Sequence, residues 1–332
     1  MEFYMKIVVT GSTGHIGNVL IRELIKKGYT DVTAFIRSGE KVNIFEGLKI
    51  PFVYGDVRDI ESLKKAFSGA DIVFHLAGLI DIGNGNKKLM HEINVEGSKN
   101  VIEACKECKV KKLIYTSSVH AIPPKPMGEV ISETKDFSPD LVKGTYAKTK
   151  AEATKYMLEA NSENLEVIIT HPSGVIGPYE YITSNLGQLI IDCAKRRMKA
   201  YIDGGYNFVD VRDVALGLIS ALEKGRAGEC YILAGHYVSI KDLLKYVEDI
   251  TNVPAPKVKL ARWFAYGTGV FAEIYYKIVK QKPLFTSYSV YTTGTNSNFS
   301  IEKAKKELGY APRDFKETMV DTISWMKENG KI

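Results

Sequence analysis

Cysteine is scarce in this chain. Cys105, Cys108, Cys193 and Cys230 are the only four in 332 residues, which excludes a disulfide framework and points to a reducing compartment. Cys105 and Cys108 have the spacing of a redox or zinc pair. They fall inside a helical pattern and no second pair exists, so they read as ordinary helix residues and no metal is called for. No apolar run reaches the ~18 residues that a membrane span needs, and no signal peptide is visible. The expectation is a cytoplasmic protein without a membrane span. Basic residues exceed acidic ones by a formal +6, yet they are scattered, with nothing longer than broken clusters such as Lys109–Val110–Lys111–Lys112. A nucleic-acid binder would gather them on one face, so the expected partner is a small molecule. There is no internal repeat and no low-complexity tail.

What is present is ordinary globular composition, 45% hydrophobic and 25% charged, organised around residues 5–17. Lys6-Ile-Val-Val-Thr10 is a β-branched run suited to a strand buried on both faces. Glycines follow at 11, 14 and 17, with Ser12, Thr13, His15 and Ile16 between them. Ile16, Val19, Leu20, Ile21, Leu24 and Ile25 then repeat at helical spacing up to Gly28, a natural stop. Strand, glycine turn and helix N-terminus make an anion site in which Gly11 and Gly14 remove Cβ atoms from the path of a pyrophosphate, and Gly17 lets the helix pack closely on the strand. The second strand, 31–36, ends in Arg37, where a Rossmann-type fold normally carries an acid for the ribose 2′-hydroxyl. A guanidinium would instead pair a 2′-phosphate. The cofactor is therefore read as NADP, with NAD as the other option.

Further along, short apolar strands alternate with helices. Expected strands cover 50–54, 71–75, 112–116, 167–170 and 228–235, with a long helix over 86–108. Asp59 reads as a helix N-cap and His75 as a packed strand histidine. Residues 119–139, rich in proline, form a loop at the substrate mouth. Residues 208–213 are expected to bring the chain back to the main sheet.

The chemistry sits in Tyr146 and Lys150, four apart and so one above the other on a helix. A phenol with its usual pKa of about 10 is a poor catalyst at neutral pH. A neighbouring ammonium, joined by an oxidised nicotinamide, favours the phenolate and brings that value down. Ser118, at the end of the 112–116 strand, can hydrogen-bond a substrate oxygen as charge develops. Tyr146 would then pass a proton to a carbonyl while hydride arrives from the nicotinamide.

These motifs together resemble the extended branch of the short-chain dehydrogenase/reductases. They are Gly-x-x-Gly-x-x-Gly, His75-Leu-Ala-Gly78, Asn94-Val-Glu-Gly-Ser-Lys-Asn100, Thr116-Ser-Ser118, Tyr146-x-x-x-Lys150, His171-Pro-Ser-Gly-Val-Ile-Gly-Pro178, Phe208-Val-Asp-Val-Arg-Asp-Val-Ala215 and the Lys303-Ala-x-x-Glu-Leu-Gly-Tyr310 ending. Within that branch the chain is most similar to the dihydroflavonol-4-reductase and 3β-hydroxysteroid-dehydrogenase-like group. The resemblance implies adenine contacts at Asp56 and Val57, close cofactor passage at Leu76, Ala77 and Gly78, and a supporting role for Asn94. It also implies nicotinamide-side contacts at Thr116 and Ser117, carboxamide contacts at Pro172, Ser173 and Val175, and a homodimer through the 86–108 and Tyr146 helices.

The fold expected is α/β: a Rossmann-type doubly wound parallel sheet over 1–177, with 206–235 returning to it. A smaller C-terminal substrate lobe takes 178–205 and 236–332. The activity expected is NADP(H)-dependent reduction of a ketone or aldehyde on a bulky hydrophobic substrate, or the reverse oxidation. The competing reading is an NAD-dependent nucleotide-sugar epimerase or dehydratase. Arg37 and the aromatic stretch near 263–275 favour the first. A redox-sensing binding protein without catalysis would not need the intact Tyr146–Lys150 pair.

Overall fold

The structure, a computed structural model, describes residues 5–80, 86–260 and 291–332. The chain opens with β1 (Ile7–Thr10), α1 (His15–Lys26), β2 (Val32–Ile36), β3 (Phe52–Tyr54), α2 (Ile60–Phe67) and β4 (Ile72–His75). β1, β2 and β4 are buried along their whole length, as their apolar, β-branched sequences require. α1 stops where Gly28 adopts φ +95°. The helix expected over 86–108 runs as α3 (Lys87–His91), a π turn (Glu92–Glu96) and α4 (Gly97–Glu107). Cys105 is buried within it and its thiol is pushed well above its ordinary range by burial.

Then follow β5 (Lys112–Thr116), α5 (Thr145–Glu159), β6 (Glu166–Pro172), β7 (Gly174–Ile176), α6 (Asn185–Ala194), β8 (Ala200–Ile202) and β9 (Gly205–Asp210). α7 (Val211–Lys224), β10 (Cys230–Leu233), β11 (His236–Ser239), α8 (Ile240–Thr251) and β12 (Val258–Leu260) come next. The described part ends with α9 (Glu302–Leu308) and α10 (Phe315–Glu328).

Seven strands form one parallel sheet in the order β10-β6-β5-β4-β1-β2-β3. The chain winds outward from β1 to β3, then crosses back to β4. The crevice at the carboxyl ends of β1 and β4 is therefore the topological switch point. α2, α4 and α5 cover one face, where Leu63, Val101 and Met157 pack on Val73 and Leu113. α1, α7 and α9 cover the other, with Leu20, Leu218 and Leu308 packed among Val9, Ile114 and Ile168. A third apolar cluster joins α6, α8 and α10 through Ile190, Leu243 and Met319.

One expectation is corrected here. The strand at 208–213 does not rejoin the main sheet. β9 pairs in parallel with β7 and antiparallel with β11 in a separate three-stranded sheet. The outer edge of β6 is already taken by β10. The Asp210 carboxylate accepts the Arg212 N–H at 2.8 Å, which ends the strand and starts α7. It is α7 that lies back on the main sheet. The aromatic stretch at 263–275 lies outside the described residues. Among the described residues no helix is long and apolar enough to cross a membrane.

Candidate active site

Gly11 turns the chain out of β1 with φ +67°. A Cβ there would lie 2.6 Å from the Ala77 nitrogen, so this glycine lets the exit of β4 pass against the turn. At Gly14 a Cβ would meet only the Gly11 carbonyl oxygen, at 3.2 Å, so that side of the turn is open. A Cβ at Gly17 would overlap that same carbonyl, so Gly17 lets the start of α1 close against the turn. Gly11, Thr13, Gly14, Arg37, Asp56 and Val57 line a cleft of about 330 Å³. Leu76, Ala77 and Gly78 close it from the β4 side.

The side chains of the remaining turn residues make contacts within the fold. Ser12 is fully buried and donates to the Phe35 carbonyl at 3.0 Å. His15 donates through Nε2 to the Pro178 carbonyl at 2.9 Å, and Ile16 packs into the core beside β1. Asp56 is bound to Arg58 through both carboxylate oxygens, at 3.0 and 2.7 Å, and that contact holds its carboxyl below the usual range. The end of β2 also differs from expectation. Glu40, three residues beyond Arg37, lines the same cleft and pairs with the Arg37 guanidinium at 2.7 Å. An acid is present after all; the tight turn at 38–40 returns it, and looking only at the strand's last residue misses it.

Asn94 sits in the π turn, buried to 2% exposure. Its Oδ1 accepts the Leu79 N–H at 2.7 Å, and its Nδ2 donates to the Leu79 carbonyl at 3.0 Å and to Thr149 at 3.1 Å. A π turn widens a helix by one residue and commonly serves this kind of inward-facing side chain. Ser118 caps a short 3₁₀ turn (Val119–Ala121), its oxygen accepting the His120 N–H at 3.2 Å. The Ser118 side chain lies close enough to Tyr146 to lower the affinity of its phenol for a proton. Tyr146 and Lys150 lie on the inner face of α5, both buried. The Lys150 ammonium donates to the Thr116 carbonyl at 2.8 Å and to the Tyr115 hydroxyl at 3.1 Å.

Electrostatics here are dominated by desolvation. Burial pushes the Tyr146 phenol up to about 12, with the nearby Ser118 side chain acting in the opposite direction. Burial also pushes Lys150 down to about 7. The expected lowering of the phenol by its neighbour is therefore not achieved by these side chains alone. His120, which sequence reading passed over, sets its ring edge-on to Tyr146 at 6.0 Å and meets the Tyr206 hydroxyl through Nε2 at 3.1 Å.

Thr116 and Ser173 are buried, and among the described residues their hydroxyls are two of the few side-chain groups left without a hydrogen-bond partner. Such orphans flanking Lys150 and the β6 exit fit a polar ligand such as a carboxamide. Pro172 ends β6, and Val175 lies in β7, half-buried in the core. Ser117 is placed differently from expectation: its hydroxyl meets Thr154 of α5 at 2.7 Å. Side chains alternate along β5, so Ser117 faces α5 with Tyr115 while Thr116 faces the other way.

A family model described as the NAD dependent epimerase/dehydratase family matches residues 7–234. The chain is 29% identical over 330 residues to sterol demethylase protein B of Methylococcus capsulatus, covering 99% of this chain and 100% of that one. It is 30% identical over 325 residues to sterol-4-alpha-carboxylate 3-dehydrogenase, decarboxylating, of Mus musculus, covering 92% and 86%. The crystal structure of gox2253 superposes with a TM-score of 0.86 at 34% identity, covering 98% of this chain and 99% of that one. Glycine turn, Ser118–Tyr146–Lys150 cluster and whole-length similarity agree: the chain is an enzyme of the NAD-dependent epimerase/dehydratase family, within the extended short-chain dehydrogenase/reductases.

Proposed function

We propose that this enzyme is an NADP(H)-dependent oxidoreductase that reduces a ketone or aldehyde on a bulky hydrophobic substrate, or oxidises the matching alcohol. The observation that carries the reading is Tyr146 and Lys150 buried one turn apart on α5, which packs against the 3₁₀ turn that Ser118 caps. When bound, the nicotinamide supplies or takes up the hydride. The chain's own residues do the rest. Tyr146 gives a proton to the substrate oxygen in reduction and takes it back in oxidation. Ser118 stabilises the charge that develops on that oxygen. Lys150 keeps positive charge near the phenol, and Asn94 holds the Leu79 backbone beside it.

The substrate class is supported by the names of the two sterol-related relatives. Val119, Ile122, Ile131 and Val142 give an apolar wall to a cavity of about 50 Å³ at His120, room for only a small part of such a substrate. In this reading 178–205 and 236–332 build the substrate lobe. The test is fluorescence titration with NADPH and NADH, after denatured protein has been checked for carried nucleotide, followed by assay of hydrophobic ketones and aldehydes. Exchangeable NADPH binding with ketone turnover is the expected result. One observation favours a second reading, an NAD-retaining nucleotide-sugar epimerase or dehydratase: the Glu40 carboxylate in the cofactor cleft. NAD released on denaturation would establish that reading and overturn the first.

A further inference from the structure

Behind Lys150 lies a chain of buried polar groups for which substrate chemistry has no use. The Tyr115 ring stacks on the His75 ring at 5.5 Å and lies 4.7 Å from the Lys150 ammonium. The Tyr115 hydroxyl accepts from the Lys150 ammonium at 3.1 Å. Ser98 Oγ donates to the Asn94 carbonyl at 2.7 Å and meets His75 Nε2 at 3.2 Å. His75 Nδ1 meets the Thr10 hydroxyl at 2.8 Å, and Thr10 in turn accepts the Ala77 N–H at 3.3 Å. Thr10, His75, Ser98 and Tyr115 are all buried.

The protons in this chain can be assigned by elimination. Ser98 has one hydroxyl proton and spends it on the Asn94 carbonyl, so it accepts from His75 Nε2–H. His75 Nδ1 is then bare and accepts the Thr10 proton. An ammonium has only protons to give, so Tyr115 offers Lys150 a lone pair. We propose that Tyr115 is a positioning residue for Lys150, its ring braced by stacking on a His75 whose orientation and tautomer the Thr10 and Ser98 hydrogen bonds fix. The inference rests on the oxidoreductase reading above for its catalytic consequence, and on geometry alone for its proton assignment.

The titratable groups facing Lys150 are Tyr146 on its own helix, Tyr115 from β5, His75 from β4 and His171 from β6. Burial holds His75 at about 3 and His171 at about 4, so both are neutral. Among the described residues no carboxylate pairs with Lys150. The Thr116 carbonyl and the Tyr115 hydroxyl are thus what stabilise its charge.

The test uses the isotopically labelled free protein. Nitrogen NMR should find His75 protonated on Nε2 and bare on Nδ1. Tyr115→Phe keeps the ring and its stacking but deletes the lone pair. Removing one hydrogen bond to a charged group should lower the proton affinity of Lys150 roughly tenfold, read as a lower titration midpoint of its Nζ. Ser98→Ala, which frees the His75 ring that braces Tyr115, should move the midpoint in the same direction by less. In turnover, Tyr115→Phe should lower kcat about tenfold with KM little changed. An unchanged Lys150 midpoint in Tyr115→Phe, or a proton on His75 Nδ1, overturns the proposal. Wild-type protein that turns over no carbonyl compound would overturn the oxidoreductase reading instead, and leaves the NMR result to decide this one.

Discussion

Arg37 is bonded to Glu40 through both Nε, at 2.8 Å, and Nη2, at 2.7 Å, while the other Glu40 oxygen accepts the Thr13 hydroxyl at 2.6 Å. The cation that would greet a 2′-phosphate is thus already paired, and the acid that pairs it is tied to the glycine turn. The Arg37 side chain is 60% exposed, so the pair is weak and a phosphate can compete for the guanidinium. Glu40 opposes that phosphate through like charge. Glu40→Gln should therefore raise the preference for NADPH over NADH about tenfold, and Arg37→Ala should lower it by a similar factor. Dissociation constants from nicotinamide fluorescence give both ratios. Ratios that do not move in either variant would remove Arg37 and Glu40 from cofactor selection.

Gly11 is the most constrained position of the turn. An added Cβ would meet the Ala77 nitrogen at 2.6 Å and the Leu76 carbonyl carbon at 2.7 Å, both backbone atoms that cannot swing aside. Its φ of +67° adds a conformational cost of roughly 1 kcal/mol for any L side chain. Gly11→Ala should lower the urea midpoint and abolish nucleotide binding. Gly39→Ala provides the comparison, because φ there is +86° but a Cβ would meet nothing within 4 Å. That variant should lose only the conformational term, about 1 kcal/mol, and still bind. Equal losses in the two variants would mean that the β4 exit does not press on the turn.

Much of this site is legible in the sequence because it is local. The glycine spacing, the Tyr146–Lys150 pair one helical turn apart and the serines at the end of β5 each sit within a few residues of one another. What escaped reading depends on contacts between distant segments. β9 finds its partners at Gly174–Ile176 and His236–Ser239, and nothing in its own sequence names them. Thr10, His75, Ser98 and Tyr115 come from three strands and a helix, and only the parallel register of β1, β4 and β5 brings them together. Ser117 has a simpler reason: strand alternation past Thr116 turns its side chain toward Thr154 of α5. Glu40 shows the limit of a one-position rule, since a turn of three residues restored the acid that the strand end lacked.

On the proposed mechanism, Tyr146→Phe removes the hydroxyl that exchanges a proton with substrate and leaves the ring packed in place. Turnover should fall at least about a thousandfold, a loss at the upper end for one acid–base group, with nucleotide affinity within about twofold. Ser118→Ala should cost less, about a hundredfold, because the phenol survives and only charge stabilisation is lost. It also frees the His120 N–H that Ser118 caps. Steady-state kinetics with the best carbonyl substrate separate these effects. A Tyr146→Phe enzyme that kept a tenth of its activity would place the proton elsewhere.

Lys150 gives the protein a pH signature that does not depend on any ligand. Burial lowers its pKa from an ordinary 10.5 to about 7 in the folded chain, and unfolding restores the ordinary value. Between those values the unfolded chain binds a proton that the folded chain does not. Stability from this group therefore rises with pH across that window. It is fully present above 10.5 and lost as pH falls through about 7. Other groups titrate over the same range, so the informative quantity is a difference. Lys150→Met fills similar volume without ionising, and subtracting its urea midpoint from that of the wild type isolates the lysine. The difference should climb in favour of the wild type from pH 7 to pH 10 and be flat below about pH 6. A flat difference throughout would mean that the ammonium is solvated, and the buried Lys150–Tyr115 contact with it would have to be abandoned.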